Sequence, residues 1–203
     1  FDTIEGGEHR FYDHWPKKVF FSATDEALYK RSLQWVEQRR PGRPFFLTVE
    51  TVSSHIPYIE PASETIDPEK CFRFTDHWAA WFVRQLEARG VFEHGILMIT
   101  GDHRAMTPVL PEEKAAFGLG ALSRVPFVLV DRTRPAGERI DWLFKQSDLI
   151  PSFEQWLGQR TSIDALSASI FEQRANPDNV ALHRRGNERA IVDVIFADGE
   201  GQV

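Results

Sequence analysis

One cysteine, Cys71, stands among 203 residues. A lone thiol excludes an intrachain disulfide and any cysteine-built zinc cluster. No apolar run approaches the ~18 residues of a membrane-spanning helix. The first residues lack the charged, apolar and small-residue order of a signal peptide. Positive charge is not in excess either. Lysine and arginine total 24 against 30 aspartates and glutamates, a net charge of -6. The basic pairs Arg39-Arg40 and Arg184-Arg185 are too short to form an arm, so a nucleic-acid partner is not expected. A glycine-rich phosphate loop and a nucleophile elbow are both missing. What remains is 42% hydrophobic and 27% charged, which is a globular balance with enough apolar mass for one cored domain or two small ones.

Helical and strand patterns alternate along the chain, which predicts an α/β sheet protein. Residues 18 to 22 read as a short strand. Thr24 reads as an N-cap, with Asp25 and Glu26 in the first turn at the positive helix end. Leu28, Leu33, Trp35 and Val36 carry a helix to Arg40, stopped by Pro41-Gly42. Residues 44 to 52, rich in β-branched and aromatic side chains, predict a buried strand. Pro57 makes the next segment a loop. Asp67-Pro68 opens a second helix. Its apolar positions Phe74, Trp78, Trp81, Phe82 and Leu86 recur every three or four residues as far as Arg89, with Gly90 as C-cap.

Residues 95 to 100 predict the clearest buried strand. A short helix over 112–117 and a strand over 125–130 follow. Ser147 is predicted to cap a helix reaching Leu157 and ended by Gly158. Residues 179 to 184 and 190 to 196 read as two late strands, and Arg185-Gly186-Asn187 between them suits a hairpin.

Three stretches place ligand-type residues just past apolar strands, where open α/β sheets bind their ligands. In Thr100-Gly101-Asp102-His103-Arg104, a carboxylate and an imidazole adjoin. Inside a strand they would point apart, but after a glycine the chain can turn so that both converge on one divalent cation. The competing reading is an Asx-type turn with a solvated histidine. In Thr51 to Tyr58, His55 lies among hydroxyls and could serve a phosphoryl or sulfuryl oxygen or act as a general acid. Against this stands a loop histidine bonded to backbone. In Lys145 to Pro151, Ser147 and Asp148 read as helix-start residues only. The remaining histidines show no spacing that suggests a site. Trp78 and Trp81 read as core.

In this order the stretches resemble the lipoteichoic acid synthase-like enzymes of the sulfatase branch of the alkaline phosphatase superfamily. The resemblance is carried by Pro44 to Tyr58, by Phe74-Thr75-Asp76 with its helix, by Gly95 to His103, and by Val125-Pro126-Phe127-Val128. Gln146 to Gly158 and Ser22 to Leu28 add to it. It covers residues 18 to 171, leaving 172–203 for terminal strands or a hairpin. It implies an alkaline phosphatase-like sandwich, a mostly parallel sheet flanked by helices.

The resemblance also implies transfer or hydrolysis of a phosphoryl or sulfuryl ester through a covalent intermediate. A divalent metal ion assists, manganese or magnesium ahead of calcium or zinc. Carried over position by position, Asp102 and His103 become metal ligands, and His55 becomes the catalytic residue at the transferred group or leaving oxygen. Arg104 stands where the family usually has glycine, and could bind the substrate phosphate or face solvent.

The implied partner is a phosphate- or sulfate-ester substrate, with a lipid head group or glycan as its carrier. The implied location is the bacterial envelope outside the cytoplasm, with a membrane tether. No segment before residue 44 matches the family's nucleophile motif, and Phe1 is not methionine. The expectation is therefore that residues 1–203 form the later part of a catalytic domain whose nucleophile and first half lie upstream. Its sheet would then lack strands and expose apolar surface. A sulfatase-type hydrolase and a noncatalytic fragment or binding domain are the alternatives.

Overall fold

The computed structural model describes residues 2–40, 42–159, 169–171, 179–184, 190–196 and 198–203. The chain divides into two compact units, Phe1–Met98 with Leu129–Thr133, and Ile99–Val128 with Arg134–Val203.

The first unit is built on two helices, α1 (Asp25–Gln38) and α2 (Pro68–Ala88). Tyr29, Leu33 and Val36 follow the i, i+4, i+7 spacing and share one face of α1. Phe82 and Leu86 do the same on α2. These five and Phe92 are buried together, with Leu47, Val49, Trp78, Trp81, Leu97 and Val130 packed around them. The rings of Tyr29 and Phe82 lie 5.0 Å apart. Each such side chain contributes roughly 1.5–3 kcal/mol on burial. Asp67 caps α2 by accepting the Lys70 N–H at 3.1 Å. Gly90 ends it with φ 69°, a left-handed conformation that favours glycine.

Two sequence expectations change here. Residues 18–22 are not a strand. Val19–Phe21 forms a 3-10 turn in which Phe20 and Phe21 both take positive φ, 51° and 54°. An isolated bridge joins Lys17 to Ala23 across it. The second change is at 44–52, which runs without helix or strand assignment. Its Leu47 and Val49 still pack on the core. Strand-type residues fit a half-buried surface, but a ladder needs a neighbouring chain in register.

In β1 (Leu97–Thr100) and β2 (Phe127–Val130) the chain forms a two-stranded sheet. The second unit holds α3 (Pro111–Phe117), α4 (Leu149–Trp156) and an antiparallel sheet of β3 (Val180–Arg184), β4 (Val192–Phe196) and β5 (Glu200–Gln202), in that order. Strand β5, with the sequence Glu-Gly-Gln, carries no apolar alternation to mark it. The hairpin turn expected at 185–187 lies outside the described residues. Ser147 does not cap α4; it sits inside a 3-10 turn, Gln146–Asp148, and Asp148 is the cap residue.

Candidate functional site

His55 belongs to the first unit, and its loop is fixed at both ends. Val52 N and Ser53 N donate to one oxygen of Asp25 at 2.8 and 2.9 Å. His55 N then bonds Val52 O at 3.0 Å, and Tyr58 N bonds His55 O at 3.0 Å, so the residue stands between two consecutive turns. The Ile56-Pro57 peptide in this loop is cis. The half-buried ring of His55 has Nδ1 2.8 Å from Ile56 O. A carbonyl only accepts, so Nδ1 carries the hydrogen and Nε2 is the acceptor nitrogen of the neutral ring. The Phe20 ring centroid lies 4.6 Å from the imidazole.

Asp102, His103 and Arg104 belong to the second unit and follow β1. Gly101 makes the turn between them possible: a Cβ there would meet His103 O at 3.0 Å and the Val125 side chain at 3.7 Å. The Asp102 carboxylate accepts His103 N at 2.9 Å. This bond reaches the next residue rather than the second one on, so it is not an Asx turn, and the imidazole turns back, with Nε2 3.7 Å from Asp102 Oδ2. His103 Nδ1 sits 2.7 Å from Arg104 O, so it repeats the arrangement of His55. Two ligands on one cation at 2.0–2.2 Å would stand about 3–3.5 Å apart. The pair therefore fits a divalent ion with a small closing movement, and a backbone-anchored Nδ1–H is the usual support of a ligating histidine. Both side chains are open to solvent, Asp102 at 88% and His103 at 49%. Among the described residues, no group of three or more histidine, cysteine or acidic side chains could hold a metal ion. Asp102 and His103 are the two ligand-type side chains that the turn after β1 brings together.

Arg104 neither faces solvent nor points its charge outward. Its side chain is 14% exposed and paired with Glu113 at 2.7 Å. The same guanidinium donates to Ala105 O at 2.9 Å and Thr107 O at 2.7 Å. Glu113 also accepts Leu110 N at 2.8 Å. That backbone bond and the Arg104 guanidinium hold its carboxyl below the usual range, against an opposing effect of burial.

Two residues that sequence reading passed over hold these segments. Gln146 Nε2 donates to Gly101 O at 2.6 Å and Asp102 O at 2.9 Å. Its own turn is fixed by the buried Asp148, which accepts Lys145 N at 2.8 Å. Asp25, fully buried, plays the matching part for the His55 loop. Neither has a local signature; a polar residue following a helix cap or preceding a buried helix is the only trace.

A solved structure described as a protein in the alkaline phosphatase superfamily from Vibrio parahaemolyticus superposes with a TM-score of 0.74 at 18% identity. The match covers 95% of this chain and 47% of that one, so this chain spans about half the length of its structural neighbour. The fold is accordingly alkaline phosphatase-like. No curated protein matches the sequence. A sequence model of the sulfatase family matches residues 1–159, the span that contains His55, Asp102, His103 and Arg104, and by that match this chain belongs to the sulfatase family.

Proposed function

We propose that the protein is a metal-dependent phosphoryl-ester transferase or hydrolase working through a covalent intermediate, on the phosphoglycerol-transferase side of the sulfatase family. The observation that carries the reading is the convergence of Asp102 Oδ2 and His103 Nε2, 3.7 Å apart, just past a strand end. Manganese or magnesium suits this oxygen and imidazole pair, with calcium or zinc as alternatives. Bound there, a divalent ion would supply charge neutralisation at the transferred group and activation of the nucleophile.

This chain's residues do the rest of the work in the proposal. Asp102 and His103 hold the ion. Gln146 fixes the carbonyls behind them, so the loop does not reorganise as charge develops. His55 presents Nε2 to the substrate, because Nδ1–H is already given to Ile56 O. As imidazolium, it donates a proton from Nε2 to the leaving oxygen; as imidazole, it takes one back from an incoming hydroxyl. Arg104 would bind the transferred anion only by exchanging Glu113 for it; in the structure it shapes the loop over 105–113. The resemblance further supports a lipid or glycan ester as substrate and a membrane-tethered place outside the cytoplasm. Among the described residues no helix is long and apolar enough to cross a membrane.

The test uses the full-length protein with phosphodiester, phosphomonoester and sulfate-ester probes under manganese, magnesium, zinc and calcium. Metal-dependent turnover of a phosphate ester is expected, lost together with bound metal in Asp102→Ala and His103→Ala. Unchanged turnover and metal content in both variants would overturn the assignment, and preferential sulfate-ester turnover would move the enzyme to the sulfatase-type alternative.

A further inference from the structure

Asp25 is a buried titratable group that the proposed chemistry does not use. Its side chain is fully buried. A carboxylate in that position is costly unless its lone pairs are satisfied. Here Oδ1 accepts Val52 N at 2.8 Å and Ser53 N at 2.9 Å, and Oδ2 accepts the Thr75 hydroxyl at 2.9 Å. Its own N–H goes to Ser53 Oγ at 3.0 Å. One side chain thus ties the start of α1, the middle of α2 and the entry to the His55 loop. The bonds are not spread evenly. Two of the three that the carboxylate accepts come from the two residues from which the turn carrying His55 starts, since His55 N bonds back to Val52 O.

We infer that Asp25 is a positioning residue for His55: it fixes the Val52–Ser53 peptide planes, and through them the direction in which the imidazole presents Nε2. The inference deepens the reading above and rests on it for its functional consequence. Its geometric half stands without any substrate. Phe20 supplies a built-in reporter, since its ring lies 4.6 Å from the imidazole and shifts the His55 ring resonances only while the two stay in register.

The experiment is NMR of the His55 ring in the intact protein, well below its melting temperature, alongside turnover of a phosphate-ester probe. Phe20→Leu defines the shift that the Phe20 ring causes. Asp25→Ala removes all three acceptor contacts and is expected to move the His55 resonances to the Phe20→Leu position and to lower kcat on the order of 10²-fold, the cost of a misplaced group. Asp25→Asn keeps an oxygen for both amides, while the Thr75 hydroxyl can turn to accept from its NH2, so it is expected to rescue both readouts. Thr75→Val breaks only the bond to α2. It is expected to lower the melting temperature and leave His55 in place.

If Asp25→Ala does not fold, Asp25→Ser takes its role, because its hydroxyl stays at the helix start but falls short of Val52 and Ser53. The inference is overturned if His55 keeps its wild-type shift in the Ala or Ser variant, or if Thr75→Val displaces it equally. Failure of the functional reading looks different: His55→Gln would then retain turnover, while the effect of Asp25 on the His55 ring survived.

Discussion

Asp25 and Ser53 hold one another by a reciprocal pair of hydrogen bonds, Asp25 N to Ser53 Oγ at 3.0 Å and Ser53 N to Asp25 Oδ1 at 2.9 Å. Thr24 occupies the N-cap position of α1 but makes no side-chain cap bond. The buried N–H of Asp25, one of the first-turn donors that has no partner within the helix, is met by a hydroxyl 28 residues further on. Ser53→Ala should therefore cost what loss of an N-cap costs, about 1 kcal/mol within a range of roughly 0.5–2. Urea denaturation read by circular dichroism measures it. Thr24→Ala should leave the midpoint where it is, and an equal loss in both variants would contradict the assignment of the cap to Ser53.

Arg104 and Glu113 set up a prediction in acid. The Glu113 carboxyl is held below its ordinary range, first by the Leu110 N–H and also by the Arg104 guanidinium. A depressed folded-state value means that its contribution is present above the unfolded pKa and is lost as pH falls through the folded one. The Leu110 amide resonance should report that titration, with a midpoint below the usual carboxylate range. Arg104→Ala should raise the midpoint, and Glu113→Gln should abolish the transition. A midpoint that ignores Arg104 would remove the clamp from the 105–113 loop.

Much of this was legible where the signal is local. The apolar spacing of Phe74 to Leu86 and the Asp67-Pro68 start describe α2 nearly to the residue, and the apolar run before Gly101 describes β1. Asp102 and His103 could be singled out because strand ends are where loops converge. Asp25 and Gln146 could not, because their partners lie 28 and 45 residues away and nothing in their neighbours encodes the meeting. Residues 18–22 misled for a different reason. Val19, Phe20 and Phe21 have strand-type side chains, but two successive left-handed backbones fold them into a turn. Such conformations cost of order 1–3 kcal/mol each, and propensity does not foresee them.

Cys71 is fully buried in α2. Burial pushes its thiol up from its ordinary value, and the charges of Glu60, Asp67 and Asp25 push the same way. Only the thiolate reacts with alkylating reagents, so the native protein should resist iodoacetamide at neutral pH. Labelling should become fast across the same denaturant range in which the helical signal is lost. That makes the single thiol a reporter on the first unit. Rapid modification without denaturant would mean that α2 opens locally.

Tyr29 sits at the centre of the α1 and α2 core, 7% exposed and stacked on Phe82. Burial pushes its phenol up to about 12, and the nearby negative charge of Asp25 adds to the effect. Below about pH 10 the phenol is protonated in both the folded and unfolded chains, and its contribution is whole. As pH rises from there, the unfolded chain ionises first, and stability falls until the folded phenol titrates near 12. A displacement of this size corresponds to about 2–3 kcal/mol across that window. Tyr12 is also raised by burial, so total stability will slope in both wild type and variant. The informative quantity is the difference between wild type and Tyr29→Phe in urea midpoints at pH 9 and pH 11. Tyr29→Phe keeps the ring and removes the ionisation, so it should gain on the wild type as pH rises. A constant difference at the two pH values would show that the Tyr29 hydroxyl reaches water, and that the α1 and α2 interface is looser than its stacked rings imply.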